Sequence, residues 1–302
     1  MTGPMKRLLI ASGLFLGPPI SVFAAPHVDP IGRGLYAYVS DNDHSANSTF
    51  LVGHYAILVV DTGLNAIEGQ KLLGEIRKIS PLPVRFIINT HYHPDHQGGN
   101  AVVGPDAVVI SSPFTRERTL QILDRLRESQ AKEGASDHAA QQPAFRAATE
   151  TLTDRLTIYL DDDPVEIVAP GPGHTMGDVY VFFPNQRSVS AGDLFMNGSS
   201  PAMDQGSAAN WIRTLDSILT LPADHFVPGH FEVGSRLSFT QFRDYLADLY
   251  GQVQRLSRSG ATIEQVRQQI DMKKYAHFRQ YPQFQATFAD NAEAIYRQFG
   301  HP

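Results

Sequence analysis

The stretch VRFIINTHYHPDHQGGN, Val84 to Asn100, runs from a short apolar segment straight into three histidines and an aspartate within six positions. No other stretch constrains the fold as strongly. Val84–Ile88 reads as a buried strand, so His91, His93, Asp95 and His96 are delivered just beyond its C-terminal end. On a continued strand, residues 91, 93 and 95 would share one face and 96 would point away. Pro94 removes a backbone donor and argues against a straight strand. A loop there turns His91 and His93 toward one point and Asp95 and His96 toward a second. Gly98 and Gly99 are expected to let the backbone turn tightly after them. The bland alternative is a solvated, His-rich turn. The chain contains no cysteine, so any metal must be held by nitrogen and oxygen.

Three further segments weigh against the bland reading. APGPGHTMGD presents His174, VSAGDLF presents Asp193 and HFVPGHFEVG presents His230. Each is expected where an apolar strand ends in a glycine-flanked loop. Around them the chain alternates strand-like runs with helical spacing. GLYAYVS, STFLVGHYAILVVDTG, VRFIINT and AVVIS read as strands, with a helix over Asn65–Ile79. Residues 113–130 form a charged amphipathic helix, and 113–150 as a whole is a possible lid. DRLTIYL, VEIVAPG, DVYVFFP, RSVSAGDLF and DHFVPGH read as a second set of strands, with a helix over GSAANWIRTLDSILTL. From Phe239 onward the pattern is mostly helical. This alternation predicts two sheets face to face with helices outside, a four-layer αββα arrangement. With no Pro/Gly/Ser-rich linker, residues 26–302 are expected to form one domain.

Residues 1–25 read as a cleaved signal peptide. Lys6 and Arg7 precede an apolar, proline-broken run, and cleavage is expected after Ala24 or Ala25. The expectation is a periplasmic or secreted protein without a stable membrane anchor. At net charge -6 the chain lacks the basic footprint of a nucleic-acid binder, so a small molecule is the expected partner. Oligomeric state is not specified by the sequence.

THYHPDH, PGHTMGD, AGDLF and VPGH, in this order, resemble the motif set of the metallo-β-lactamase superfamily, from about Gly34 to His230. The resemblance implies the αββα sandwich and two zinc ions. It implies His91, His93 and His174 around one ion, Asp95, His96 and His230 around the other, and Asp193 bridging them. A water or hydroxide shared by the ions is then the nucleophile, and Asp95 orients it or carries a proton to the leaving group. Asp61 is expected to brace the ligand loop or to cap a turn. Thr175 is placed within the site or in a plain loop.

The implied activity is opening of a cyclic amide or ester, with a β-lactam first among named substrates and a lactone or thioester as the alternative. The lysine that grips the β-lactam carboxylate in many relatives is missing, and Asn197 or Ser199 is left to serve more weakly. Two other readings are a mononuclear iron persulfide dioxygenase and a non-catalytic metal-binding protein. A redox di-iron centre is disfavoured because His93 stands where that family has Glu. Arg116, Arg118, Arg125 and Arg127 read as a solvated helix face, and Trp211 as packed on the sheet. His225 reads as an ordinary strand histidine. His54 and His138 are candidates for the mouth of the site, and His27 has no ligand-like context.

Overall fold

The computed structural model describes residues 25–133, 144–203, 205–282 and 285–300. All but the last residue of the expected signal segment lies outside them, as do His138 and much of the expected lid. One sheet runs in the order β1 (His27–Gly32), β2 (Leu35–Val39), β3 (Ser48–Val52), β4 (Ile57–Val60), β5 (Val84–Ile88), β6 (Val108–Ser111) and β7 (Glu150–Thr151). Pairing is antiparallel through β4 and parallel from β4 to β7. The second sheet has β8 (Arg155–Leu160), β9 (Asp163–Val168), β10 (Tyr180–Phe183), β11 (Ser188–Met196), β12 (His225–His230) and β13 (Gly234–Ser235) side by side in chain order. Its one parallel pair is β11 with β12.

The layering follows from the two-residue period of strands. In β4, Leu58 and Val60 face the opposite sheet, where they join Val181 and Phe183 of β10 and Val227 of β12. Their neighbours Ile57 and Val59 face the other way, against Leu72 and Ile76 of helix α1 (Ala66–Ile79). In β10, Tyr180 and Phe182 turn outward onto α5 (Ala208–Leu219), α6 (Arg236–Arg258) and α8 (Phe288–Arg297). Strands buried on both faces read as continuous apolar runs. That explains ILVV and YVFF, where all residues are buried. The result is the predicted αββα sandwich.

Local signals set the element ends. The Asn65 side chain accepts from the amides of Ile67 and Glu68 and so starts α1. Ser235 caps α6 in a capping box, as Thr262 does for α7 (Ile263–Gln269). The single run read over STFLVGHYAILVV is a hairpin, broken at Gly53 between β3 and β4. β1 was not anticipated, because Pro30 interrupts its pattern; it lies at the sheet edge, where a missing amide is tolerated.

The candidate lid is anchored at both ends. Helix α4 (Pro113–Glu133) is tied at its start by Ser112 and Thr115, which donate to the Gly177 carbonyl. Ala144 exchanges backbone bonds with the ligand-loop side of the first sheet, through Gly98 and Ala101. Arg116 donates to the Ala148 carbonyl and Arg118 lies over Tyr92 and Phe114, so these two are not simply solvated. Arg127 pairs with Asp124 at the surface. No helix among the described residues is long and apolar enough to cross a membrane.

Trp211 is the largest fully buried side chain, with its indole nitrogen donating to the Leu194 carbonyl at 3.0 Å. It joins α5 to the strand that carries Asp193. Trp211→Ala should lower unfolding free energy by about 3–5 kcal/mol, read as a fall in the urea midpoint at unchanged slope.

Candidate metal centre

The ligand stretch leaves β5 and ends in helix α2 (Pro94–Gln97), with Pro94 in the first turn and His93 at the N-cap, and the short α3 (Asn100–Val103) follows. Pro94 therefore starts a helix, where its missing amide costs nothing. This turn separates His91 and His93 from Asp95 and His96. Gly98 and Gly99 have ordinary negative φ values of -65° and -100°, so the tight turn expected there does not rest on a left-handed backbone. They are needed for closeness: a Cβ on Gly98 would lie 1.8 Å from the Leu64 carbonyl oxygen.

His174 sits in the loop between β9 and β10, and His230 is the last residue of β12. Asp193 lies within β11 instead of beyond its end, which corrects the loop placement. The register with β12 shifts on both sides of Gly192, which has φ +51°. That irregularity turns Asp193 toward the histidines.

The structure brings these seven side chains into two groups. Donor atoms of His91, His93, His174 and Asp193 lie within 4.8 Å of one another, and so do those of Asp95, His96 and His230. Asp193 faces both. Its Oδ2 is 3.3 Å from His174 Nε2, and its Oδ1 is 3.2 Å from His96 Nε2. Asp95 Oδ2 lies 3.1 Å from His230 Nε2 and 3.3 Å from His96 Nε2.

A metal fits this arrangement. His91 Nε2, His96 Nε2 and Asp193 Oδ1 are buried without a hydrogen-bond partner, and leaving such groups unsatisfied is costly. His93 Nδ1 and His174 Nε2 stand 3.2 Å apart. The outer ring nitrogens are already engaged: His96 Nδ1 with Asp61 Oδ2 at 2.8 Å, His91 Nδ1 with Thr90 Oγ1 at 3.1 Å, and His174 Nδ1 with the Ala202 carbonyl at 3.1 Å. Such outer partners aim the inner nitrogens at a common point.

Asp61 does more than cap a turn. Its backbone takes φ +58°, and its carboxylate accepts from the Thr90 amide and hydroxyl as well as meeting His96. Thr175 does not reach the cluster. Its hydroxyl donates to Asp178 at 2.6 Å, and Asp178 also accepts from the Gly173 and Thr175 amides, which fixes the His174 loop. Burial pushes Asp178 up to about 7 against the pull of those bonds. Asn197 is likewise engaged elsewhere, donating to the Glu232 carbonyl at 2.9 Å. Ser199 is buried with its hydroxyl on the carbonyls of Ser200 and Arg279.

Sequence reading missed Asn47. Its amide nitrogen donates to the carbonyls of Pro228 and Phe231, and its backbone amide to that of Gly229, so it clamps the His230 turn. Nothing in the local pattern marks it; only the pairing of distant segments does. His54 is exposed in the β3–β4 turn, at the opposite end of β4 from Asp61. His225 starts β12 and stays outside the site. His27 groups with Asp29 and Glu232 at the surface, contrary to the expectation of no ligand-like surroundings.

Fold and donor set together define an αββα protein with two adjoining His/Asp groups that could hold metal. Residues 41–230 match the family described as the metallo-beta-lactamase superfamily. The chain belongs to that superfamily, whose members are metal-dependent hydrolases and typically bind zinc. It is 30% identical to the 2,4-dinitroanisole O-demethylase subunit alpha of Nocardioides sp. (strain JS1661), over 62% of this chain and 53% of that one. It is 24% identical to the metallo-beta-lactamase IND-1 of Chryseobacterium indologenes, over 67% of this chain and 81% of that one. A stereoselective inverting sec-alkylsulfatase from Pseudomonas sp. superposes with TM-score 0.70 at 16% identity, covering 91% of this chain and 50% of that one. The chain thus spans about half the length of the demethylase subunit and of the alkylsulfatase.

Two predictions follow from the geometry. A Cβ on Gly229 would fall 1.8 Å from Asp193 Oδ1, whereas one on Gly74 of α1 meets nothing within 4 Å. Gly229→Ala should lose bound metal by elemental analysis. Gly74→Ala should keep it and gain about 1 kcal/mol of stability.

Protonation gives the second. Burial pushes His96 and His230 down, but Asp193 and Asp95 outweigh it and hold both above the ordinary histidine value. Burial and the neighbouring histidines push His91 below it. In the metal-free protein, the protonated forms of His96 and His230 contribute stability that is full below about pH 6.5 and is lost as pH rises through their raised values. Metal must displace those protons. The rise in melting temperature on adding zinc should therefore grow from about pH 5.5 to 8. A flat or falling increment by calorimetry would contradict this.

Proposed function

We propose that the protein is a two-zinc hydrolase that cleaves an ester-type bond in a small molecule. The observation that carries this reading is Asp193, which offers one oxygen to each histidine group. A structural zinc site normally closes around one ion with four ligands. Here the donors are divided over two positions, which leaves room for water and substrate. When bound, the metal would supply Lewis-acid polarisation of the scissile bond and would acidify a bound water.

The chain's own residues do the rest. In the metal-free protein Asp95 is held well below the usual carboxylate range: burial opposes this, but the charges of His96 and His230 prevail. Its Oδ2 lies beside His230 Nε2 and His96 Nε2, at 3.1 and 3.3 Å, and in this reading the carboxylate accepts the proton of the attacking water. As the carbon–oxygen bond breaks, the same proton passes to the departing oxygen. Asp61 and Thr90 keep His96 and His91 aimed inward. The buried surroundings strengthen each of these interactions.

We place an ester ahead of a β-lactam. Both residues expected to hold the β-lactam carboxylate, Asn197 and Ser199, are engaged with backbone carbonyls. A β-lactam is the second reading, supported by the likeness to IND-1. We also infer export, from the leader-like residues 1–25, which cell fractionation tests.

The test is metal analysis of the purified protein beside assays of aryl esters, lactones, thioesters, alkyl sulfates and a chromogenic cephalosporin. Two zinc ions and ester or sulfate cleavage are expected. One iron and no zinc would overturn the reading, and cephalosporin turnover alone would reverse the order of substrates. Asp95→Asn should lower turnover of every cleaved substrate by about 10²–10⁴-fold.

A further inference from the structure

The family match ends at residue 230, yet a cavity of about 340 Å³ beside His230 is walled partly by residues from far beyond it, Arg279 and Tyr281. Arg279 is placed with care. Its amide donates to the Gly198 carbonyl at 3.0 Å, and its carbonyl accepts from the Ser200 amide at 2.9 Å. This pins it against the loop that follows Asp193. Its guanidinium lies 4.5 Å from the ring centre of Phe231, within cation–π range.

Phe231 is itself held. It follows His230 directly and adopts φ +72°, a region bulky side chains enter only when the surroundings impose it. Asn47 donates to its carbonyl at 2.6 Å, and the Tyr281 ring stacks with its ring, centres 6.0 Å apart. A donor fork is thus fixed relative to a candidate metal ligand.

Charge bookkeeping in the cavity decides what it is for. Asp41 is paired with Lys71 at 3.1 Å, and Glu232 lies 3.3 Å from His27. Arg279 has no ion pair among the described residues, although it is exposed to the cavity. Asp43, on the facing loop, has none either. A guanidinium seated over an aromatic ring, with no ion pair among the described residues, matches a carboxylate or sulfate.

We infer that Arg279 is the residue that recognises the substrate, by binding an oxyanion group that lies beside the apolar faces of Phe231 and Tyr281, away from the bond being broken. This deepens the hydrolase reading and rests on it for the word substrate. It is a binding residue and takes no part in proton transfer.

The experiment is calorimetry on the zinc-loaded protein with phenylacetate, phenyl sulfate and neutral benzyl alcohol. These probes report binding whether or not the protein cleaves esters. Arg279→Ala should weaken at least one anion about tenfold and leave benzyl alcohol unchanged. Arg279→Lys should fall between, keeping charge but losing the fork. Asp43→Asn should tighten the anions by removing like charge. A response of phenylacetate alone assigns a carboxylate, and of phenyl sulfate alone a sulfate. Failure of the wild type to bind either anion, or equal binding by wild type and Arg279→Ala, would overturn the inference and leave the hydrolase reading intact. Anion binding as expected, without turnover of any ester, sulfate or amide, would overturn the hydrolase reading alone.

Discussion

Everything at the centre of this molecule is arranged around one buried carboxylate. Asp193 stands between two histidine groups, in a place where an isolated negative charge would be far too costly to keep. Burial works to protonate it; the charges of His96 and His230 act the other way and hold it well below the usual carboxylate range. The same logic spreads outward. His96 is aimed by Asp61, and Asp61 is satisfied by Thr90. A polar network of this kind is worth having only when each member finds a partner. Three of the buried atoms left without a hydrogen-bond partner, His91 Nε2, His96 Nε2 and Asp193 Oδ1, belong to the candidate ligands.

Much of this was legible in the chain. Strand and helix periods gave the four layers, because ILVV and YVFF are buried on both faces and LLGEI on one. His91, His93, Asp95 and His96 were legible because four potential ligands in six positions have few other uses. His174, Asp193 and His230 stood out through their glycine-flanked contexts and through family resemblance. What escaped was long-range. Asn47 acts through the turn at Phe231, a separation of 184 residues that no local pattern encodes. The bulge at Gly192 depends on how β11 meets β12. Thr175 and Asn197 carry suitable groups near ligands in sequence, but other partners claim them: Asp178 three residues on for Thr175, and the Glu232 carbonyl 35 residues on for Asn197. Proximity along the chain is a weak guide where a short hydroxyl can satisfy itself close by.

The helical C-terminal part adds more than cover. Tyr245 of α6 and Asn291 of α8 meet Ser200 in a buried hydrogen-bonded set. That set holds the loop after β11 from behind, while Arg279 fixes it from the front. Variation in these helices would reach the cavity beside His230 without touching a candidate metal ligand. This division suits a fold that keeps its chemistry and changes its substrates.

The provenance of the seven side chains has a consequence for how the fold can change. His91, His93, Asp95 and His96 are supplied by the first sheet, and His174, Asp193 and His230 by the second. An occupied centre is therefore a cross-link between the halves of the sandwich, closing loops of more than eighty residues in the unfolded chain, with an entropic effect that grows slowly with loop length. Sliding one sheet over the other by a fraction of an ångström would be felt first as a change in coordination. Mutations in the apolar seam between Val60 and Val181 thus act on the metal at a distance, and drift in that core is policed by the chemistry at its rim.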